Sequence, residues 1–132
     1  MSSANIITVQ TCYAAFAKGD IAVIIAAAAK TVDWVINGRR GDFPTFGSWS
    51  GRSGLEKFFQ AVAAHEHFSE FAPHEFHAAG DKVFVLGHYT GTIQPSGRSI
   101  ASDWVHVFTF RDGKIAKFHE FSDSAQFVTP PR

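Results

Sequence analysis

Between Ser102 and Asp123 the chain reads SDWVHVFTFRDGKIAKFHEFSD, two apolar segments joined by a tight turn. His106, His119, Glu120 and Asp123 interrupt the Trp, Phe, Val and Ile of this stretch. A carboxylate and an imidazole turned toward one apolar interior could take a proton from a ligand and return it. Turned toward water they would do nothing of the kind. Side chains alternate faces along a strand, so a slip of one residue exchanges the faces of a whole strand. The chemistry therefore depends on hairpin register.

Asp112-Gly113 admits two registers. As a two-residue turn it pairs Arg111 with Lys114 and sets His106 opposite His119, with Lys117 opposite Phe108 on the aromatic face. As a type I turn with Gly113 in a left-handed bulge position, it pairs Phe110 with Lys114, His106 with Phe118 and Trp104 with Glu120. The first register presses a lysine against the core, which is costly for a charged group. The second sends Lys117 and His119 outward and is the one expected. Its inner face carries Trp104, His106, Phe108, Ala116, Phe118, Glu120 and Ser122, and makes His106 and Glu120 diagonal neighbours. Glu120 is then the expected proton carrier, and His106 its orienting partner or an oxyanion donor. A purely structural pair, hydrogen-bonded and inert, fits the same spacing. Tyr13, Trp34, Phe59, Trp104, Phe118 and Asp123 are the expected ligand contacts, although Asp123 also suits the cap of the following turn, SDSAQF.

The seven histidines invite a second chemistry. HEH (His65–His67) and HEFH (His74–His77) are their clusters, but on a strand residues i and i+3 point to opposite faces. There is no H-E-x-x-H pattern, and no metal site or cofactor is expected.

Several elements must hold these groups. Ile6, Val9, Tyr13 and Phe16 recur at helical spacing, which predicts an amphipathic helix from about Ser3 to Lys18. Gly19 suits the left-handed position after it, and Asp20 the cap of the next helix, expected over Ile21–Lys30. TVDWVI reads as a short strand, and residues 37–51 as a long Gly- and Pro-rich loop. Ser53 and Glu56 fit a capping box for a third helix, with Leu55, Phe58, Phe59, Val62 and Ala63 on one face. From Phe68 onward, breaks at AGDK, QPSGR and RDGK predict four strands joined by hairpins. Three helices followed by an antiparallel sheet make a single α+β domain over residues 1–132.

The composition sets the limits. The chain has 132 residues, 45% of them apolar, and 14 phenylalanines, enough for a core around an aromatic-lined interior. Twelve basic and twelve acidic side chains cancel, so nothing electrostatic favours nucleic acid or an anionic membrane. A single cysteine, Cys12, leaves no internal disulfide. The longest apolar run, Ile21–Ala29, is too short to span a bilayer, and the first residues lack the pattern of a signal peptide. The expectation is a soluble, cytoplasmic protein. DWVHVFTF is apolar on both faces, so a second copy of the chain is expected to cover the outer face containing Val105 and Val107.

YAAFAKGD, TVDWVINGRRGDF, GRSGLEKFF, DKVFVLGHYTG and WVHVFTFRDGKIAKFHEFSD stand in the order and spacing of SnoaL-like proteins. The chain resembles that family, in the superfamily of ketosteroid isomerase and nuclear transport factor 2. The resemblance implies three N-terminal helices on a strongly curved, mainly antiparallel sheet, forming a cone-shaped barrel around a pocket and commonly dimerising through the sheets. It implies no single activity, because isomerases, polyketide cyclases, dehydratases, epoxide hydrolases and non-catalytic proteins share it. Anchored on AKGD and DGKI, this chain has Cys12, Trp34 and His106 where ketosteroid isomerase has its tyrosine, its base and its oxyanion-hole aspartate. A slip of one residue would bring Tyr13 and Asp33 to the first two positions. Two function classes follow. One is a cofactor-free acid–base enzyme acting on a small, largely apolar carbonyl compound. The other is a binding or dimerisation module with the same pocket.

Overall fold

A computed structural model describes residues 2–128. Helix α1 (Ser2–Ala17) ends where Gly19 takes φ +73°. There the amides of Gly19 and Asp20 turn back to the carbonyls of Phe16 and Ala15, which stops the helix with its last carbonyls satisfied. Helix α2 (Ile21–Ala27) is shorter than expected. Ala28, fully buried, is extended and opens strand β1 (Ala28–Ile36) opposite Ile115, so sheet pairing overrides the helical preference of the alanines. Asp20 stands at the N-cap of α2 but makes no side-chain capping bond.

The long loop is partly a strand. Strand β2 (Gly47–Ser50) pairs antiparallel with β1, setting Trp49 beside Trp34. Helix α3 (Gly51–His65) begins directly after it with Ser50 as N-cap. The capping box expected of Ser53 and Glu56 is therefore not formed, because Ser53 already lies inside the helix. Instead the Arg52 guanidinium donates two bonds of 3.0 and 2.8 Å to the Ala28 carbonyl, tying α3 to the start of β1.

Strands β3 (Glu66–Ala79), β4 (Lys82–Ile93), β5 (Ser99–Arg111) and β6 (Lys114–Phe121) follow as expected from their turn residues. A 3-10 turn (Ser124–Phe127) buries Phe127 against Phe43, Phe46 and Tyr89. The six strands form one sheet in the order β2-β1-β6-β5-β4-β3, parallel only between β1 and β6. It is curved and mostly antiparallel, the α+β cone anticipated, but it does not close into a barrel. Strands β2 and β3 are its free edges. Edge β3 carries Pro73 and two register shifts, between Phe68 and Glu70 and between Pro73 and Glu75. Among the described residues no helix is long and apolar enough to cross a membrane.

Candidate active site

The β5–β6 hairpin adopts neither expected register. Asp112 and Gly113 have φ of +54° and +77°, the signature of a two-residue turn with both central residues left-handed, and Arg111 pairs with Lys114. Left alone, that turn would send Lys117 inward. A bulge prevents it: Phe110 pairs with Ile115, Thr109 with Lys117, and Ala116 is the extra residue between them. The cause is Ile115, which is fully buried together with Phe118. Two inward residues three positions apart cannot alternate, so the strand must gain a residue on one side. Beyond the bulge Lys117 and His119 face outward as expected. His106 lies directly opposite Glu120, not Phe118, and the two are not diagonal neighbours.

The pair is hydrogen-bonded. His106 Nε2 is 2.8 Å from Glu120 Oε1, and His106 Nδ1 is 2.6 Å from the Tyr13 hydroxyl on α1. One proton arrangement satisfies all three groups: an ionised Glu120 accepts from Nε2–H, and the Tyr13 O–H donates to Nδ1. Burial lowers the pKa of His106, opposed by the hydrogen bond and charge of Glu120, so the imidazole is neutral at pH 7. Burial also drives the Tyr13 hydroxyl well above its ordinary pKa, with the Glu120 charge adding to the effect. The result is a phenol, an imidazole and a carboxylate in line. No second hydrogen bond occupies Glu120 among the described residues, and its side chain is 16% exposed.

Aromatic packing holds the imidazole still. Trp104 stacks on His106 with centroids 3.8 Å apart at 15°, and Tyr13 lies parallel to it at 5.9 Å. The Trp104 indole needs Gly87 on the neighbouring strand, where a Cβ would collide with the ring. At the other end, the Asn37 side chain donates to the Ser122 carbonyl and accepts from its amide, and the Asn37 amide donates to the Glu120 carbonyl. The β1–β6 pairing is thereby extended to the residues flanking Glu120.

The line of groups opens into a cavity of about 610 Å³, solvent at its mouth included, between the three helices and the inner face of the sheet. Tyr13, Trp34, Phe59, Phe118, His106 and Glu120, all expected at the site, line it. Two expected contacts do not. Trp104 lies behind His106 as its support, and Asp123 is exposed, accepting from the Gln126 side chain at 3.0 Å. Asp123 fails because β6 ends at Phe121, so strand alternation no longer sets its direction. Asp33 pairs with Ser50 and Lys117, outside the cavity wall, whereas both Cys12 and Tyr13 line it.

Two polar groups were missed. Thr45, from the loop before β2, is buried in the cavity wall, and the half-buried Glu66 at the start of β3 lines the same wall. The signal for Glu66 was present in HEHFSEF. Phe68 points inward, so Glu66, two residues before it, does too. The middle residue of HEH, not its histidines, is the one that reaches the interior.

The sequence profile of the SnoaL-like domain matches residues 9–118. Among curated proteins none matches the chain. Solved structures do. An NTF2-like protein from Burkholderia xenovorans is 28% identical over 96% of this chain and 95% of its own, with a TM-score of 0.86. An NTF2-like protein of unknown function from Burkholderia pseudomallei is 30% identical over 98% and 100%, with a TM-score of 0.85. TerC, co-crystallised with polyporic acid, is 30% identical over 94% and 95%, with a TM-score of 0.83. The chain belongs to the SnoaL-like domain family of NTF2-like proteins.

Proposed function

We propose that the protein is a cofactor-free acid–base enzyme that moves a proton next to the carbonyl of a small, largely apolar compound. The observation that carries this reading is the Tyr13–His106–Glu120 line ending in an aromatic cavity. Glu120 takes the α-proton through its unbonded oxygen. His106 keeps the carboxylate oriented by one N–H bond, burial favours its neutral form, and Tyr13 donates to its other nitrogen. Trp34, Phe58, Phe59 and Phe118 enclose the apolar body of the ligand. Trp34 Nε1, buried and without a partner among the described residues, supplies a donor for a ligand oxygen. Co-crystallisation of TerC with polyporic acid supports a small organic ligand. Isomerisation, aldol-type cyclisation and dehydration all begin with this proton removal. Leu86 and Phe121, 37% and 45% exposed, join Val105 and Val107 on the outer face, which supports a homodimer packed through the sheets.

The test is exchange of the α-protons of a small aryl ketone, 2-tetralone, in D2O, followed by proton NMR. Wild type should accelerate exchange, and Glu120→Gln should slow it by about a hundredfold, the loss expected for a general base. Binding of 2-tetralone without exchange would favour the non-catalytic binding module.

A further inference from the structure

Glu66 reaches the cavity from a different direction than Glu120. It is the first residue of β3 and the C-cap of α3, its amide donating to the Val62 carbonyl. In the sheet order β6-β5-β4-β3 it stands three strands from Glu120 and far along them, paired with Ile93 where the row of Glu120 runs through Val85, so the curve of the sheet is what brings both residues to one cavity. Both carboxyl-bearing residues line the cavity, so one ligand has access to both. Three features oppose ionisation of Glu66. The wall around it is mostly aromatic, with Phe68, Phe71 and Phe59 among its members. The carboxyl-bearing residue sits at the C-terminal end of a 15-residue helix, where the partial negative charge of the last carbonyls repels an anion. Among the described residues no lysine or arginine lines the cavity.

We infer that Glu66 is the proton donor of the site, a neutral carboxyl that hydrogen-bonds the ligand oxygen while Glu120 removes the α-proton. This rests on the acid–base reading given above. As the C–H bond breaks, its electron pair moves to the carbonyl oxygen, and Glu66 delivers its proton there to give a neutral enol. In an isomerisation, Glu120 then returns its proton to another carbon and Glu66 recovers its own from the enol oxygen. No proton is gained or lost. Two carboxylic acids of one cavity are divided by their surroundings: Glu120 accepts an N–H from His106, whereas Glu66 faces an aromatic wall at a helix C-terminus.

The electrostatics agree. Burial pushes the Glu66 carboxyl up to about 8, the Thr45 hydroxyl opposes this, and the Glu120 charge adds to it. Burial lifts Cys12 to about 11 and sends Tyr13 and Tyr89 upward, while His106 is shifted down. A cavity carboxyl that loses its proton near pH 8 is therefore assigned to Glu66.

Carbon-13 NMR of protein labelled at the glutamate carboxyls tests the protonation state. A signal absent from Glu66→Gln should titrate with a midpoint near 8, and Glu120→Gln should lower that midpoint. A midpoint below about 6 overturns the inference, since ordinary glutamate titrates near 4.3. The 2-tetralone exchange rate tests the role. It should fall as pH rises through 8, because ionised Glu66 has no proton to give. Glu66→Ala should slow exchange by about a hundredfold, the usual loss for one oxyanion donor. Glu66→Gln conserves volume and keeps an N–H donor, so it should lose less and no longer fall near pH 8. Exchange that depends on Glu120 but not on Glu66 overturns this inference alone. Absence of exchange in wild type overturns the acid–base reading and this role with it.

Discussion

His106 and His119 sit on the two sides of one hairpin, and their surroundings differ in kind. Both have lowered pKa values with burial as the first cause. For His119 the neighbouring Lys117 charge pushes further down and Asp33 resists. For His106 the Glu120 charge resists. His106 is 3% exposed, hydrogen-bonded through both nitrogens and wedged against Trp104. His119 is half-buried, stacked on Phe121 at 4.0 Å, and faces outward beside Val107 across the strand pair. The same residue type shifted in the same direction thus carries two meanings. A perturbed titration becomes evidence of a site only where geometry supplies partners and a cavity.

Experiments can break this contrast from either side. The largest change is expected outside. Val107→Glu places a carboxylate on the apolar outer face and should convert a dimer to monomer or aggregate by light scattering. A wild-type protein that is monomeric at micromolar concentration would sink the assembly. Inside, His106→Ala strips Tyr13 and Glu120 of their partner in a buried site. It should cost about 3 kcal/mol in denaturant melts, whereas His119→Ala should stay within about 0.5 kcal/mol. Equal losses would erase the distinction between the faces. Tyr13→Phe leaves Nδ1 of His106 without a donor and should cost about 1–2 kcal/mol. The smallest effect is a titration. His106 should remain neutral below pH 6.5 by NMR of its ring protons, and Glu120→Gln should lower its midpoint further by removing the charge that resists the shift. The sign for stability follows. Unfolded histidine binds a proton near pH 6.5 while folded His106 does not, so this residue's contribution is intact above pH 6.5 and declines as pH falls.

Much of this architecture was legible in the chain. The turn residues located strands β3 to β6, and Gly19 marked the end of α1, because local chemistry decides those features. The inward direction of His106 and Glu120 also followed from keeping Lys117 out of the core. The device that achieves it did not. Ala116 has no property that announces a bulge, and only the joint burial of Ile115 and Phe118 demands one. Ala28–Lys30 became strand because β6 was there to pair with, a tertiary fact. Glu66 was passed over because its direction depends on the phase of a helix-to-strand junction, which periodicity on either side does not determine. Asp123 was misplaced for the related reason that it lies beyond the last paired residue.

The open edge at β3 bears on how the protein avoids its own kind. A strand of 14 residues with unpaired amides and carbonyls is a template on which another chain could grow, strand upon strand, toward a fibril. Pro73 withdraws one donor from that row, and the two register shifts break its spacing on either side of it. Glu70, His74, Glu75 and His77, all exposed, add polar groups that an incoming strand would have to desolvate. Self-association is thus discouraged along the rim of the sheet and left possible across its apolar outer face.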